Sequence, residues 1–102
     1  HVADFPDFGS DSYSRFLVVG KRNREPDARY LSRVDDELAL LKSWKQQGIV
    51  LNFQAMEGTS PDWRGFLTVR AVDKAAVEKL LAQLPLAEYL EFEIRQLSKI
   101  VL

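Results

Sequence analysis

The chain has 102 residues, enough for a single domain with a real core and no deep cleft of its own. Lys+Arg total 14 against Asp+Glu 15, so no basic excess exists to neutralise a nucleic acid, and 46% hydrophobic against 28% charged residues excludes a chain that stays disordered. There is no cysteine and the one histidine is His1, which removes disulfides, thiolate chemistry, a Ser-His-Asp triad and Cys/His metal sites; no metal and no cofactor are expected.

Residues 1–14 carry Gly, Pro, Ser and Asp in loop proportions and read as a flexible leader, with residues 15–102 forming one domain. Phe5, Phe8 and Tyr13 in that leader fit either an apolar surface of the same chain or a neighbouring subunit. The chain opens on His1 rather than Met, which reads as a trimmed or tagged start. No signal-like segment is visible, and the apolar runs are far short of the ~20 residues that cross a bilayer, so the expectation is a cytoplasmic protein with no membrane partner.

Residues 15–22, RFLVVGKR, are β-branched and apolar at their centre and predict the first strand. Asp27 is placed to cap a helix over 28–47, with Leu31, Val34, Leu38, Leu41 and Trp44 as its apolar stripe and Gly48 as its left-handed stop. Residues 49–57 alternate as a second strand, with Ile49, Leu51, Phe53 and Ala55 on one face and Val50, Asn52, Gln54 and Met56 on the other. Gly58 to Asp62 form a turn, and residues 64–72 a third strand with Leu67, Val69 and Ala71 opposite Phe66, Thr68 and Arg70. Asp73 caps a second helix with the stripe Val77, Leu80, Leu81, Leu84, stopped by Pro85, and residues 90–98 alternate as a last strand. The order βαββαβ predicts an α+β, ferredoxin-like protomer with both helices on one face of an antiparallel sheet.

The first strand is apolar on both faces, so one face should need a cover besides the helices. If the helices take Leu17, Val19, Leu51 and Leu67, then Phe16, Val18, Val50 and Phe66 are left bare. Two covers are open: a second copy, giving a homodimeric barrel, or the tail at Ile100, Val101 and Leu102 and the leader aromatics. The same face carries Asn52, Gln54, Thr68, Arg70 and Arg95, either as a polar rim or as the lining of a ligand pocket.

Proton transfer is the chemistry that this composition leaves open. Asp35, counted round the first helix, sits at the border of the buried stripe, while Glu37 points more toward solvent. A half-buried Asp35 would be a general base with a raised pKa; otherwise Asp35-Asp36-Glu37 is a solvated charge run. Tyr30 and Arg33 share that helix, and Arg64, Arg70 and Arg95 are candidates to hold a carboxylate. Trp44 is expected in the core, and Trp63 over a pocket or a subunit contact.

Leu81-Ala82-Gln83-Leu84-Pro85-Leu86, followed by Tyr89-Leu90-Glu91-Phe92-Glu93-Ile94, resembles the helix end and last strand of the muconolactone Δ-isomerase family, and Glu37-Leu38-Ala39 through Gly48 resembles its first helix. The similarity spans residues 31–95, and its Leu-Pro-Leu junction recurs across the dimeric α+β barrel superfamily, YCII-related proteins included. What the resemblance implies is a barrel dimer, sometimes assembled further, and a cofactor-free 1,3-proton shift on a small carboxylated lactone, with Asp35 at the position of the family's acidic residue. The chain departs from the family at Leu51 to Met56, where the family carries aromatics and a histidine, and an Asp in place of Glu would draw the base back by one methylene. The composite expectation is a cofactor-independent isomerase or related proton-transfer enzyme on a small anionic molecule. Asp35 and Tyr30 would be catalytic, and Arg33, Arg70, Arg95, Trp63, Asn52 and Gln54 would bind substrate. A non-catalytic binding or assembly module and a cofactor-independent monooxygenase or polyketide-modifying relative are the alternatives.

Overall fold

The computed structural model describes residues 13–55 and 65–98. The expectations for the leader through residue 12, the turn at Gly58 to Asp62, Trp63, Arg64 and the tail at Ile100 to Leu102 lie outside them. Within these limits the elements run β1 (Ser14–Arg22), α1 (Ala28–Gln46), β2 (Val50–Ala55), β3 (Gly65–Ala71), α2 (Lys74–Leu81), a 3-10 turn (Ala87–Tyr89) and β4 (Leu90–Gln96). The strands form one antiparallel sheet in the order β2-β3-β1-β4, the ferredoxin-like α+β arrangement that the element order predicts.

Local chemistry sets the helix limits. Asp27 caps α1 by accepting the Tyr30 N–H at 2.9 Å, and Asp73 caps α2 by accepting the Ala76 N–H at 2.8 Å. Past α1 the chain reverses at Gly48, whose φ of 78° favours a residue without Cβ. Pro85 lies beyond the end of α2, where the chain passes through turns into the 3-10 turn.

The core joins Phe16 and Val18 of β1, Val50 of β2, and Leu67, Val69 and Ala71 of β3 to Leu41 and Trp44 of α1 and to Val77, Leu81 and Leu84. This corrects the expected facing of β1. Phe16, Val18 and Val50 are the residues under the helices, and Leu17, Val19 and Phe66 lie on the other face. For β1, apolar on both faces, the pairing of Phe16 with Val69 and Val18 with Leu67 decides the side; for Val50 the cause is a bulge in β2, where Val50 pairs with Val69 but Asn52 pairs with Thr68, so Leu51 is the extra residue. One extra residue returns Val50 and Phe53 to the same side and breaks the strict alternation assumed from the sequence.

The buried stripe of α1 is also rotated from the expected one. Tyr30, Glu37, Leu41 and Trp44 are buried and Val34 half-buried, whereas Leu31 is 69% and Leu38 49% exposed. The helix keeps the 4-3-4-3 spacing of a core-facing helix, but along Tyr30, Val34, Glu37, Leu41 and Trp44.

Candidate active site

Three rows of paired residues cross the helix-covered side of the sheet. Val50, Val69, Phe16 and Gln96 form one, and Phe53, Leu67, Val18 and Ile94 the next. The third is Ala55, Gly65, Gly20 and Phe92, where three neighbours in a row carry at most one side-chain carbon. Under the N-terminal half of α1 the sheet therefore cannot reach the helix. The gap is a cavity of about 400 Å³, within the usual size of small-molecule sites. Phe53, Leu67, Leu90 and Phe92 line it from the sheet, and Leu86 from the approach to β4. Tyr30, Val34, Glu37 and Leu41 line it from α1, with the exposed Leu31 and Leu38 at its mouth.

Glu37 is the only buried charged side chain among the described residues, at 8% exposure. Its Oε1 accepts the backbone N–H of Leu86 at 3.1 Å. Burial raises the carboxyl above the usual glutamate range, and the Leu86 N–H pulls it part of the way back. Its other oxygen has no hydrogen-bond partner among the described residues. The segment that presents Leu86 is held from α1, because Arg33 Nη1 donates to the Pro85 carbonyl at 3.2 Å and pairs with Glu88. Arg24 and Arg29 approach the same carboxylate at 3.8 and 3.7 Å.

Tyr30 stacks edge-on against Tyr89 with ring centroids 5.2 Å apart. The Tyr89 hydroxyl donates to Asp27 Oδ1 at 2.6 Å, closing a link from the α1 cap to the foot of β4. That bond, with the Tyr30 N–H, holds Asp27 below the usual carboxylate range, and the Asp27 partner raises the Tyr89 phenol.

The expected site residues do not converge. Tyr30 is on the cavity wall. Asp35 is exposed, so the assumed half-burial of Asp35 and solvation of Glu37 are reversed; the rotated stripe is the reason. Arg33 belongs to the Glu88 cluster on the flank of α1 away from Leu31 and Leu38. Asn52, Gln54, Arg70 and Arg95 share the opposite face of the sheet, as expected, and are thereby separated from the cavity by the sheet itself. There Arg70 lies over the Tyr13 ring at 5.6 Å and Arg95 pairs with Glu93 at 2.9 Å. Trp44 is core, at 4% exposure. Sequence reasoning missed Glu37, Phe53, Phe92, Gly20 and Gly65. A signal for Glu37 was present, since it lies seven residues from both Tyr30 and Trp44.

No protein-family model and no curated protein matches the sequence. The structure is similar to that of 5-chloro-2-hydroxyhydroquinone dehydrochlorinase from Burkholderia phenoliruptrix, solved in complex with 2,5-dihydroxybenzoquinone. The match has a TM-score of 0.58 at 14% identity and covers 82% of this chain and 93% of that one. At this identity the likeness shows the fold alone.

Proposed function

We propose that the protein is a cofactor-independent enzyme that moves a proton on a small molecule held between α1 and the sheet, with Glu37 as the acid-base group. The observation that carries this is a carboxyl 8% exposed, raised by burial, on the wall of a cavity of about 400 Å³. Tyr30 on the same wall is the supporting polar group. One carboxyl that takes a proton and returns it elsewhere on the ligand serves a 1,3-shift of the muconolactone isomerase type. The neighbouring fold's dehydrochlorinase also supports chemistry on a small ring, because loss of hydrogen chloride includes removal of a proton. The anionic substrate loses support, because Arg70 and Arg95 lie across the sheet from the cavity and Arg33 is tied to Glu88. A binding module remains a second reading, favoured by the apolar wall: Tyr30 and Glu37 are its polar side chains among the described residues.

The working unit we propose is a homodimer joined through the face of the sheet opposite the helices. Two central rows of that face are Asn52, Thr68, Leu17, Arg95 and Gln54, Phe66, Val19, Glu93. Leu17 and Phe66 are half-buried there, and a second copy of the same face would complete their burial in a self-complementary contact.

The test is solvent deuterium exchange into cyclic lactones and hydroxylated rings, followed by NMR without added cofactor. Glu37→Gln, which keeps an acceptor for the Leu86 N–H, should lower the exchange at least about a hundredfold while the fold persists. Exchange at the wild-type rate in Glu37→Gln would end the assignment.

A further inference from the structure

We propose that the cavity selects uncharged ring compounds carrying a hydrogen-bond donor and turns away carboxylates, an inference that rests on the cavity being the ligand site. The acceptor comes first. Glu37 spends one oxygen on the Leu86 N–H, and the second has no hydrogen-bond partner among the described residues. The residue is buried beside apolar walls, so a ligand hydroxyl or N–H directed at that oxygen gains more than it would in water.

The walls determine the rest of the ligand. Phe53, Phe92 and Tyr30 offer aromatic surface, and Leu67, Leu84 and Leu90 aliphatic surface. At the floor the Phe92 ring covers Gly20 and the β2 backbone lies against Gly65, so the surface that a flat ring meets there is the Phe92 ring. The mouth is marked by Leu31 and Leu38, at 69% and 49% exposure, so a ligand passes apolar surface on entry.

Charge settles the discrimination. A carboxylate brought to the same place sets a second negative charge beside the Glu37 carboxyl in a site of low effective dielectric, so it binds only against like-charge repulsion or by keeping Glu37 protonated. The guanidinium of Arg33 is on the same helix, but it is held by Glu88 and the Pro85 carbonyl. An uncharged donor meets only the attractive half of this field. The proton such a donor shares with Glu37 is also the one that an acid-base step would move.

Naphthol and naphthoate are matched probes: one ring system, uncharged or anionic near pH 8. Titrations followed by backbone amide NMR and calorimetry should give naphthol at least about tenfold tighter binding, with the Leu86 amide among the shifted signals. Glu37→Gln should bring the two affinities to within about threefold, because the charge is gone and the amide can serve either ligand. Leu38→Lys, at an exposed position, places a cation at the mouth and should raise naphthoate affinity in a protein that folds normally. Naphthoate binding as tightly as naphthol, or no binding of either, would overturn the inference. If carboxylates are preferred while deuterium exchange still depends on Glu37, the ligand class fails and the proton-transfer assignment stands. If naphthol is preferred but exchange is indifferent to Glu37, the assignment fails and the ligand class stands.

Discussion

Gly20 and Gly65 face each other across β1 and β3 at the cavity floor, and the structure predicts opposite outcomes for the same one-carbon change. A Cβ on Gly65 would sit 2.7 Å from the Gln54 carbonyl oxygen and 3.3 Å from the Ala55 Cα. Both are backbone atoms of the neighbouring strand, so β2 must move away and strain the pairing that also seats Phe53. A cost of about 1–3 kcal/mol is expected, the usual range for overpacking. A Cβ on Gly20 meets the Phe92 ring, with the nearest carbon at 3.3 Å. That ring is half-buried and borders open space on two sides, so it can yield by a few tenths of an ångström. The gain of about 0.5–1 kcal/mol from replacing a strand glycine offsets the shift, and Gly20→Ala should stay within about 1 kcal/mol of wild type. Urea denaturation at equal m-value checks both. Naphthol binding separates stability from site shape, since Gly20→Ala should weaken the ligand without weakening the fold. If Gly65→Ala proves as stable as wild type, or Gly20→Ala is the more damaging of the two, the glycines do not make the cavity in the way described.

The pH dependence of stability should carry the mark of Glu37. Its folded pKa lies above the unfolded value, so the folded state binds its proton more tightly. The contribution is fully present below the unfolded pKa and is lost as pH rises through the folded one. Urea midpoints of the wild type should fall across that window relative to Glu37→Gln; parallel profiles would show that burial does not raise the carboxyl. Leu41→Ala should cost about 2–5 kcal/mol and Leu38→Ala within about 0.5 kcal/mol by chemical denaturation, which fixes the rotation of α1. The reverse order would restore the stripe through Leu31 and Leu38. Phe66→Lys should turn a dimer into a folded monomer in sedimentation velocity with circular dichroism retained. A wild-type chain that sediments as a monomer at every concentration would remove the proposed interface.

The architecture was legible because its signals are local. Asp27, Gly48 and Asp73 act on the few residues beside them, and the order of periods, two or three and a half residues, is a property of each segment alone. What failed was the relation between segments. One residue added at Leu51 reverses the face of everything before it in β2, and no composition rule announces a bulge. The facing of β1 could not be read for a related reason: Phe16, Leu17, Val18 and Val19 are apolar in both directions, so either assignment buries two of them.

The error in α1 has a different origin, and it bears on the site. Leu31 and Leu38 looked like core because they are leucines at core spacing, and Glu37 looked like surface because it is an acid beside two others. In the folded chain the acid is inside and the leucines stand at an opening. A ligand cavity in an apolar layer is a part of the core left unfilled, so apolar residues that would have closed it remain partly exposed at its edge. The polar group that gives it chemistry occupies a position that packing alone would assign to an apolar side chain. A rule that sorts residues by polarity must therefore misplace both kinds together. The displaced leucines and the displaced glutamate are one observation, and they fall on the same two turns of one helix.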